Sequence, residues 1–307
     1  MKTNVTKHRL RISGLVALAL GFTWLNGGVN FLAFKVGVSA LPAIFLAALR
    51  FTVAGLVLLP VAAWRSHNRN VLTFRQFAAA GLMGVIMLIG GQTGTIWGVH
   101  YLPAGVASVF GSAPPLFLAL FAWLLLHQPL GKWQLVGVSI GFAGIALMGW
   151  SSATAVSFQP IGAISVLAAG AAWAGGSLLQ SRVQTPEDPI INLTVQLLVA
   201  GLLLWLLVWM TGTADQVNFA ELPRQAWIAI AFLTFVSTLI GYGVFTWLNI
   251  KVSSTLANTY NYVSPAITLG LAALFLNEPL TWTKAASAGV VLVGVALMVS
   301  HSDSHRN

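Results

Sequence analysis

The sequence predicts an all-α integral membrane protein with ten transmembrane helices, arranged as two inverted five-helix repeats. Of its 307 residues, 57% are hydrophobic and only 7% are charged, whereas soluble domains carry about 25% charged residues. The apolar residues form runs of about 20, the length of helix that crosses a bilayer core. Two stretches, 126–148 and 276–298, repeat one pattern at a distance of 150 residues.

Polar breaks and breaks containing Pro or Gly separate the apolar segments along the chain. Basic residues precede the first segment, as in a signal peptide, but it exceeds 20 residues and no small-x-small cleavage site ends it. We therefore predict a retained first helix. The predicted spans are 11–34, 42–64, 74–99, 104–126, 133–150, 160–181, 190–211, 225–249, 253–276 and 282–300.

Lysine and arginine predict the orientation, because cytoplasmic loops carry an excess of both. With the N-terminus inside, three basic residues face outward (Lys35, Arg224 and Lys284) and Arg50 lies within a span. Both termini are therefore predicted to be cytoplasmic, and the net charge of +9 is interpreted as a topology signal rather than as nucleic-acid binding. The eleven inner residues are Lys2, Lys7, Arg9, Arg11, Arg65, Arg69, Arg75, Lys132, Arg182, Lys251 and Arg306.

The repeated stretches explain the architecture. HQPLGK at 127–132 becomes NEPLTWTK at 277–284, and both runs close on Gly-x-Ala-Leu-Met. Five predicted helices separate the copies; five is odd, so the second copy enters the membrane upside down. Transporters use inverted repeats to alternate between inward-open and outward-open states. We predict two halves, 1–153 and 154–307.

The residues also resemble a known family. GVASVFGSAPPLFLALFAWLLLHQPLGKWQLVGVSIGFAGIALMG and ANTYNYVSPAITLGLAALFLNEPLTWTKAASAGVVLVGVALM resemble the two EamA repeats of the drug/metabolite transporter superfamily, and LAALRF, ending at Phe51, fits as well. The chain is also similar to the YddG-type aromatic amino-acid exporters. The resemblance covers essentially the whole chain. It implies ten helices around a central cavity, and export of amino acids or other small metabolites across the bacterial inner membrane.

Other chemistries find little support in the sequence. The chain has no cysteine and six scattered histidines, so we expect no disulfide, metal or thiol site. No GxxxxGK[ST] motif occurs. The run 137–141 matches GxSxG, but it lies within a span without an acid, unlike an esterase elbow. We expect no enzyme activity, cofactor, nucleic acid or obligatory protein partner; the expected partners are a small-molecule substrate and the lipid bilayer.

The positions of the acidic residues bear on energy coupling. Proton-driven carriers usually keep a carboxylate or histidine inside the membrane. The sequence places its acids in loops, at helix ends or in the tail, which favours transport that is not driven through a buried acid. The six are Glu187, Asp188, Asp215, Glu221, Glu278 and Asp303.

Several side chains are candidates for a substrate cavity. Trp24 and Trp173 are mid-helix, repeat-related and followed by glycines; they would stack on planar or apolar substrates. Arg50 would bind a carboxylate, or alternatively fix helix packing. The amides would bind substrate or, alternatively, bridge helices. The predicted cavity comprises Trp24, Asn26, Arg50, Gln92, Trp97, Ser112, Trp173, Gly176, Tyr242, Asn258, Tyr260 and Asn261.

Four positions are candidates for a hinge or gate: Gly27, Pro114, Pro115 and Pro265. Proline within a helix frees a carbonyl and bends the helix, and Pro115 and Pro265 are 150 residues apart. A static kink that only shapes the cavity is the alternative.

The sequence thus predicts an inner-membrane exporter or facilitator of amino acids, with aromatic and hydrophobic ones preferred, working by alternating access. A proton-coupled metabolite or drug exporter is one alternative. A membrane scaffold or sensor subunit without transport activity is another.

Overall fold

The computed structural model describes residues 14–67, 72–153, 158–252, 254–257 and 259–300. These residues form helices and no strand. Two short 3-10 helices, Thr213–Gln216 and Phe219–Glu221, lie between α7 and α8. The helices are α1 Gly14–Ala40, α2 Ala43–His67, α3 Phe74–His100, α4 Ala104–Leu126, α5 Lys132–Ser152, α6 Pro160–Gln180, α7 Pro189–Met210, α8 Arg224–Lys251, α9 (Ser254–Ala257 and Tyr260–Phe275) and α10 Trp282–Ser300.

Eight helices of the described chain, α1 to α8, are long and apolar enough to cross a membrane. A shorter apolar stretch, Trp282–Met298, belongs to α10. The predicted all-helical membrane class is therefore confirmed, while the number of ten spans and the division at 153/154 stay predictions. Asn258 lies outside the described residues, as do the basic residues Lys2, Lys7, Arg9, Arg11, Arg69 and Arg306 of the orientation argument.

Two pairs of helices pack face to face, each pair formed by one helix from each half. In the α2–α7 pair, a methyl group at Gly55 would lie 2.7 Å from Leu198 Cδ2, and one at Gly201 would lie 3.1 Å from the backbone N of Thr52. Gly201 follows Gly55 by 146 residues, and Leu198 follows Thr52 by 146. Such reciprocal contacts are what a two-fold relation between the halves produces.

The α5–α10 pair shows the same reciprocity, here with backbone against backbone. Gly294 packs against the backbone of Gly141, and Gly144 packs against Val291. Both pairs of equivalent positions are 150 residues apart. Small residues permit this approach of two backbones, which is how membrane helices associate without a hydrophobic driving force.

The register of α2 and α7 differs from the nearly gap-free repeat that the sequence suggests. Their offset is 146, one helical turn less than the 150 of α5 and α10. At this offset the counterpart of Arg50 is Gln196, a buried residue whose Nε2 donates to Asn192 Oδ1 at 3.2 Å.

A π-helical segment interrupts both α3 and α8, at Gly84–Thr93 and at Phe232–Ile240. In each, a threonine hydroxyl donates to the carbonyl five residues earlier: Thr93 to Leu88 at 3.0 Å, and Thr238 to Leu233 at 2.8 Å. Single π-turns often mark functional sites in helices. Here they occupy corresponding places in the two halves.

The prolines of α4 and α9 differ in their position within the helix, and their role as a hinge or gate stays a prediction. Helix α4 breaks at residues 111–113, and Pro114 and Pro115 open its second segment, Pro114–Leu126. Proline is favoured in the first turn of a helix because the N–H groups there have no acceptor within the helix, so the N–H that proline lacks is not missed. Pro265 instead lies buried inside the helical segment Tyr260–Phe275. The two halves therefore use their prolines differently.

Asp188 joins α2 to the start of α7. Its Oδ1 accepts from the backbone N–H groups of Ile190 and Ile191 at 2.9 and 3.3 Å, and its Oδ2 accepts from Arg65 Nη1 at 3.1 Å. Burial favours a higher pKa, but these hydrogen bonds and the charge of Arg65 outweigh it and lower the pKa of the carboxyl. Asp188 is therefore both a helix cap and the anchor of an ion pair.

Candidate functional site

The helix bundle is packed at one end and open at the other. At the closed end, where Ala40, His100, Ala104 and Trp282 lie, α1 packs on the last turns of α3, and the first segment of α4 packs on α1 and α9. A methyl group at Gly105 would lie 2.7 Å from Leu269 Cδ2 on α9. Gly111 lies against the Phe31 ring on α1.

The open end is the one at which Phe74, Leu126, Gln180 and Lys251 lie. By the two-fold relation, α6 would pack on α8 here as α1 packs on α3 at the closed end. Among the described residues, no comparable packing joins α6 to α8. A cavity of 320 Å³ lies between α3 and the last turn of α6, lined by Met87, Ser177, Gln180, Ser181 and Thr185.

The first group of candidate residues lies where α1, α8 and α9 meet. Trp24 Nε1 donates to Thr259 Oγ1 at 3.0 Å. A methyl group at Gly27 would lie 3.5 Å from Tyr260, whose ring meets Phe245 edge-on at 5.7 Å. Asn26, another candidate, lies against Gly241, the residue before the candidate Tyr242. Asn261 is hydrogen-bonded to Tyr260.

The second group lies at the repeat-related position, where α6 crosses the π-helical part of α3. A methyl group at Gly91 would lie 3.2 Å from the Trp173 ring, and Gly176 lies against Met87. Gln92, the residue after Gly91, is half-buried. Met87 also lines the open cavity, and Ser177 of its wall is four residues from Trp173, about 6 Å along the helix. Trp173 thus lies one helical turn from the cavity wall, on the same helix.

Arg50 is only 3% exposed. Its Nε donates to Thr238 Oγ1 at 2.9 Å, and its guanidinium carbon lies 5.5 Å from the centre of the Phe34 ring and 5.4 Å from that of Phe51. Nη1 is buried and has no hydrogen-bond partner in the described part of the chain. Of the two roles that the sequence leaves open, this geometry favours helix packing: Arg50 ties α2 to the π-helical segment of α8.

Two predicted cavity residues lie away from both tryptophans. Ser112 is buried and its hydroxyl donates to the Val109 carbonyl at 2.7 Å. Trp97 meets Tyr101 edge-on at 4.8 Å near the closed end. Pro265, a gate candidate, belongs instead with the first group: it is buried within α9 next to Ser264, whose hydroxyl donates to the Trp24 carbonyl at 3.3 Å. The structure therefore divides the predicted cavity into two repeat-related groups and a closed-end remainder.

Sequence reasoning missed two charged residues at the closed end. Glu278 Oε1 accepts from the Ala104 N–H at 2.6 Å and Oε2 from the Gly105 N–H at 3.0 Å. Lys35 Nζ donates to the carbonyls of Val99, His100 and Leu102, at 3.1, 3.2 and 2.7 Å. The sequence offered one signal for Glu278: the first repeat has HQPL, and the second has NEPL, with a glutamate in place of Gln128.

Comparison with known proteins identifies the family. The model of the EamA-like transporter family matches residues 11–150 and 160–300, most of both halves. The chain belongs to the EamA-like transporter family. It is a membrane transporter built from two EamA repeats, as the resemblance of its sequence implies.

Relatives of this EamA chain are similar over nearly their whole length. YedA of Escherichia coli, named an uncharacterized inner membrane transporter, is 29% identical over 282 residues, 91% of this chain and 89% of YedA. A protein of Salmonella typhimurium named a probable amino-acid metabolite efflux pump is 26% identical, over 94% of this chain and 95% of its own length. One crystal structure at 19% identity has a TM-score of 0.62, covers 92% of this chain and 96% of its own, and shares the fold.

Proposed function

We propose that this EamA transporter moves amino acids across the bacterial inner membrane by alternating access, with aromatic and hydrophobic ones preferred. The different packing of the two ends is the observation that carries the mechanism: α1 packs on α3 at the closed end, and no comparable packing joins α6 to α8 among the described residues of the other end. A pore would be open at both ends, whereas an alternating-access carrier is closed at one end in each state. The Salmonella relative, named an amino-acid metabolite efflux pump, supports the substrate class.

The basic residues suggest which end faces the cytoplasm. Lys35, Arg224 and Lys284 lie toward the closed end. Five others lie toward the open end: Arg65, Arg75, Lys132, Arg182 and Lys251. The positive-inside rule therefore favours a cytoplasmic open end. In that orientation the structure is the state that receives substrate from the cytoplasm, as an exporter requires, and both termini are cytoplasmic.

The two tryptophans support an aromatic preference. Trp24 and Trp173 occupy corresponding positions on the two halves, and Trp173 is one helical turn from Ser177 in the cavity wall. Aromatic rings prefer edge-on or offset contacts with other rings, worth about 0.5–1.5 kcal/mol beyond the area buried. A phenylalanine or tryptophan side chain would gain this contact, and threonine would not.

The acids of the described residues support transport without proton coupling. Glu187, Asp188, Asp215, Glu221 and Glu278 all lie outside the membrane-spanning helices, and the cavity wall carries hydroxyls, an amide and a thioether. A zwitterion running down its own gradient would suffice to drive export.

Purified protein in liposomes tests this proposal through the uptake of labelled phenylalanine, tryptophan and threonine, with and without a pH gradient. We expect saturable uptake that favours the aromatic amino acids by about tenfold or more, the rate equivalent of 1.4 kcal/mol, and that ignores the gradient. Trp173→Ala is expected to reduce this preference. Accumulation that follows the gradient would establish the proton-coupled alternative, and no uptake of any of the three by folded protein would remove the amino-acid assignment.

A further inference from the structure

We propose that Glu278 and Lys35 form a latch that holds the closed end shut, and that its charge asymmetry between the halves sets the resting state. The inference rests on the proposed alternating access, and it concerns which end opens rather than what is carried. We call these two side chains, with the backbone groups that they bind, the closed-end latch.

The first part of the latch joins the second half to the first. Glu278 lies in the loop between α9 and α10, and both its carboxylate oxygens accept from N–H groups at the start of α4. Hydrogen bonds to a carboxylate are about twice as strong as neutral ones. The 2.6 Å bond to Ala104 N is at the short end for this kind of contact.

The second part joins α1 to α3. The Lys35 ammonium donates to three carbonyls where α3 ends, a position at which a cation also complements the helix dipole. Lys35 and Glu278 attract each other as well. Lys284, a further cation in this region, donates to the Pro279 carbonyl at 3.0 Å and holds the Glu278 loop. The four helix ends that would separate on opening are therefore bound together by charge.

The repeat relation places no carboxylate at the position of the opposite end that corresponds to Glu278. The counterpart of Glu278, 150 residues earlier, is Gln128, which is exposed. The counterpart of Phe31, which packs on Gly111 at the closed end, falls at Gln180 and Ser181, in the wall of the open cavity. The two ends thus differ at these equivalent positions, because only the closed end has a carboxylate in the loop between the last two helices of its repeat. The carboxylate of the other end, Asp188, pairs with Arg65 and joins α2 to α7, which pack face to face.

The latch requires a side chain at residue 278 that has two acceptor oxygens and the length of glutamate. A glutamine there retains one acceptor oxygen, but its NH₂ group only donates, so one of the two N–H groups at the start of α4 loses its partner. An aspartate keeps the charge but is one methylene shorter. Lys35→Met removes the other part of the latch and leaves Glu278 unchanged.

Cysteine labelling tests the latch without any substrate, because the natural chain has no cysteine. Ser108→Cys is the closed-end reporter. Residue 108 is buried and shares a helix face with Gly105 and Gly111, which contact α9 and α1. Ser177→Cys, in the cavity wall, is the open-end reporter. A hydrophilic maleimide is the probe, with purified full-length protein.

We expect Glu278→Gln to speed labelling of the Ser108→Cys reporter at least fivefold and to slow labelling of the Ser177→Cys reporter. Lys35→Met should act in the same direction, and Glu278→Asp should give an intermediate change. Glu221→Gln is the matched control, the same charge removal at an exposed loop position. A melting curve for each variant shows that it is folded.

Labelling rates at both reporters equal to those of the Glu221→Gln control, in folded Glu278→Gln and Lys35→Met proteins, would overturn the latch. If Glu278→Gln does not fold, the Lys35→Met comparison alone decides. Failure of the transport assay with a positive labelling result would overturn the substrate assignment and leave the latch in place.

Discussion

Replacing Gly294 by alanine is expected to destabilise the protein severely. The new methyl group would lie 2.7 Å from Gly141 Cα and 2.7 Å from the Gly137 carbonyl oxygen. Backbone atoms cannot rotate away as a side chain does, so α5 and α10 would have to separate. Overpacking costs about 1–3 kcal/mol and occasionally more. Because the clash is with backbone, we expect the upper end of this range, about 3 kcal/mol, which lowers the apparent melting temperature in detergent by about 6 °C at about 2 °C per kcal/mol.

Gly289 on the same helix provides the matched control, because nothing lies within 4 Å of a methyl group placed there. Gly289→Ala should be neutral or stabilising, since alanine is favoured over glycine within helices by about 1 kcal/mol. Gly144→Ala should resemble Gly294→Ala, because it meets the backbone N of Val291 in the reciprocal contact. Equal melting temperatures for Gly294→Ala and Gly289→Ala would contradict the close α5–α10 packing.

Replacing Arg50 by methionine is expected to reduce uptake in liposomes at least tenfold, about 1.4 kcal/mol. Methionine has similar length, but it removes the hydrogen bond to Thr238 and the charge over the Phe34 and Phe51 rings. Thr238→Val should reduce uptake as well, and the double variant should be no worse than Arg50→Met alone. Contacting residues give such non-additive effects because each single change already breaks the shared contact.

The comparison also separates the two roles of Arg50. If Arg50 instead binds the substrate carboxylate, Arg50→Met should raise KM while Thr238→Val leaves transport unchanged. Arg224→Met, the loss of an exposed arginine at the start of α8, serves as the control. Initial rates over a range of substrate concentrations provide both KM and the maximal rate.

The helices and the family were predictable because they depend on local properties of the chain. Apolar runs separated by polar breaks fix where α2 to α8 begin and end to within three residues, whereas α1 continues to Ala40, six residues past its predicted end. The equivalence of Gly144 and Gly294 is also visible in the sequence. The two-fold relation then accounts for their reciprocal contacts, Gly294 with Gly141 and Gly144 with Val291.

The rest depends on which helices meet, and spacing alone does not reveal that. The offset between α2 and α7 is 146 residues and not 150, and this difference of about one helical turn hides the correspondence of Arg50 with Gln196. Glu278 appears as an ordinary loop acid because its partners, Ala104 and Gly105, precede it by more than 170 residues. Likewise, the prolines of α4 end a break rather than bend a helix.

Counterflow in liposomes tests the central claim most directly. Vesicles containing the protein are loaded with unlabelled phenylalanine, diluted into a trace of labelled phenylalanine, and compared with empty vesicles. If the two halves alternate in access to a single cavity, unlabelled substrate inside should accelerate entry of the label several-fold and produce a transient accumulation above equilibrium. Entry that is linear in concentration, and equal in loaded and empty vesicles, would contradict alternating access.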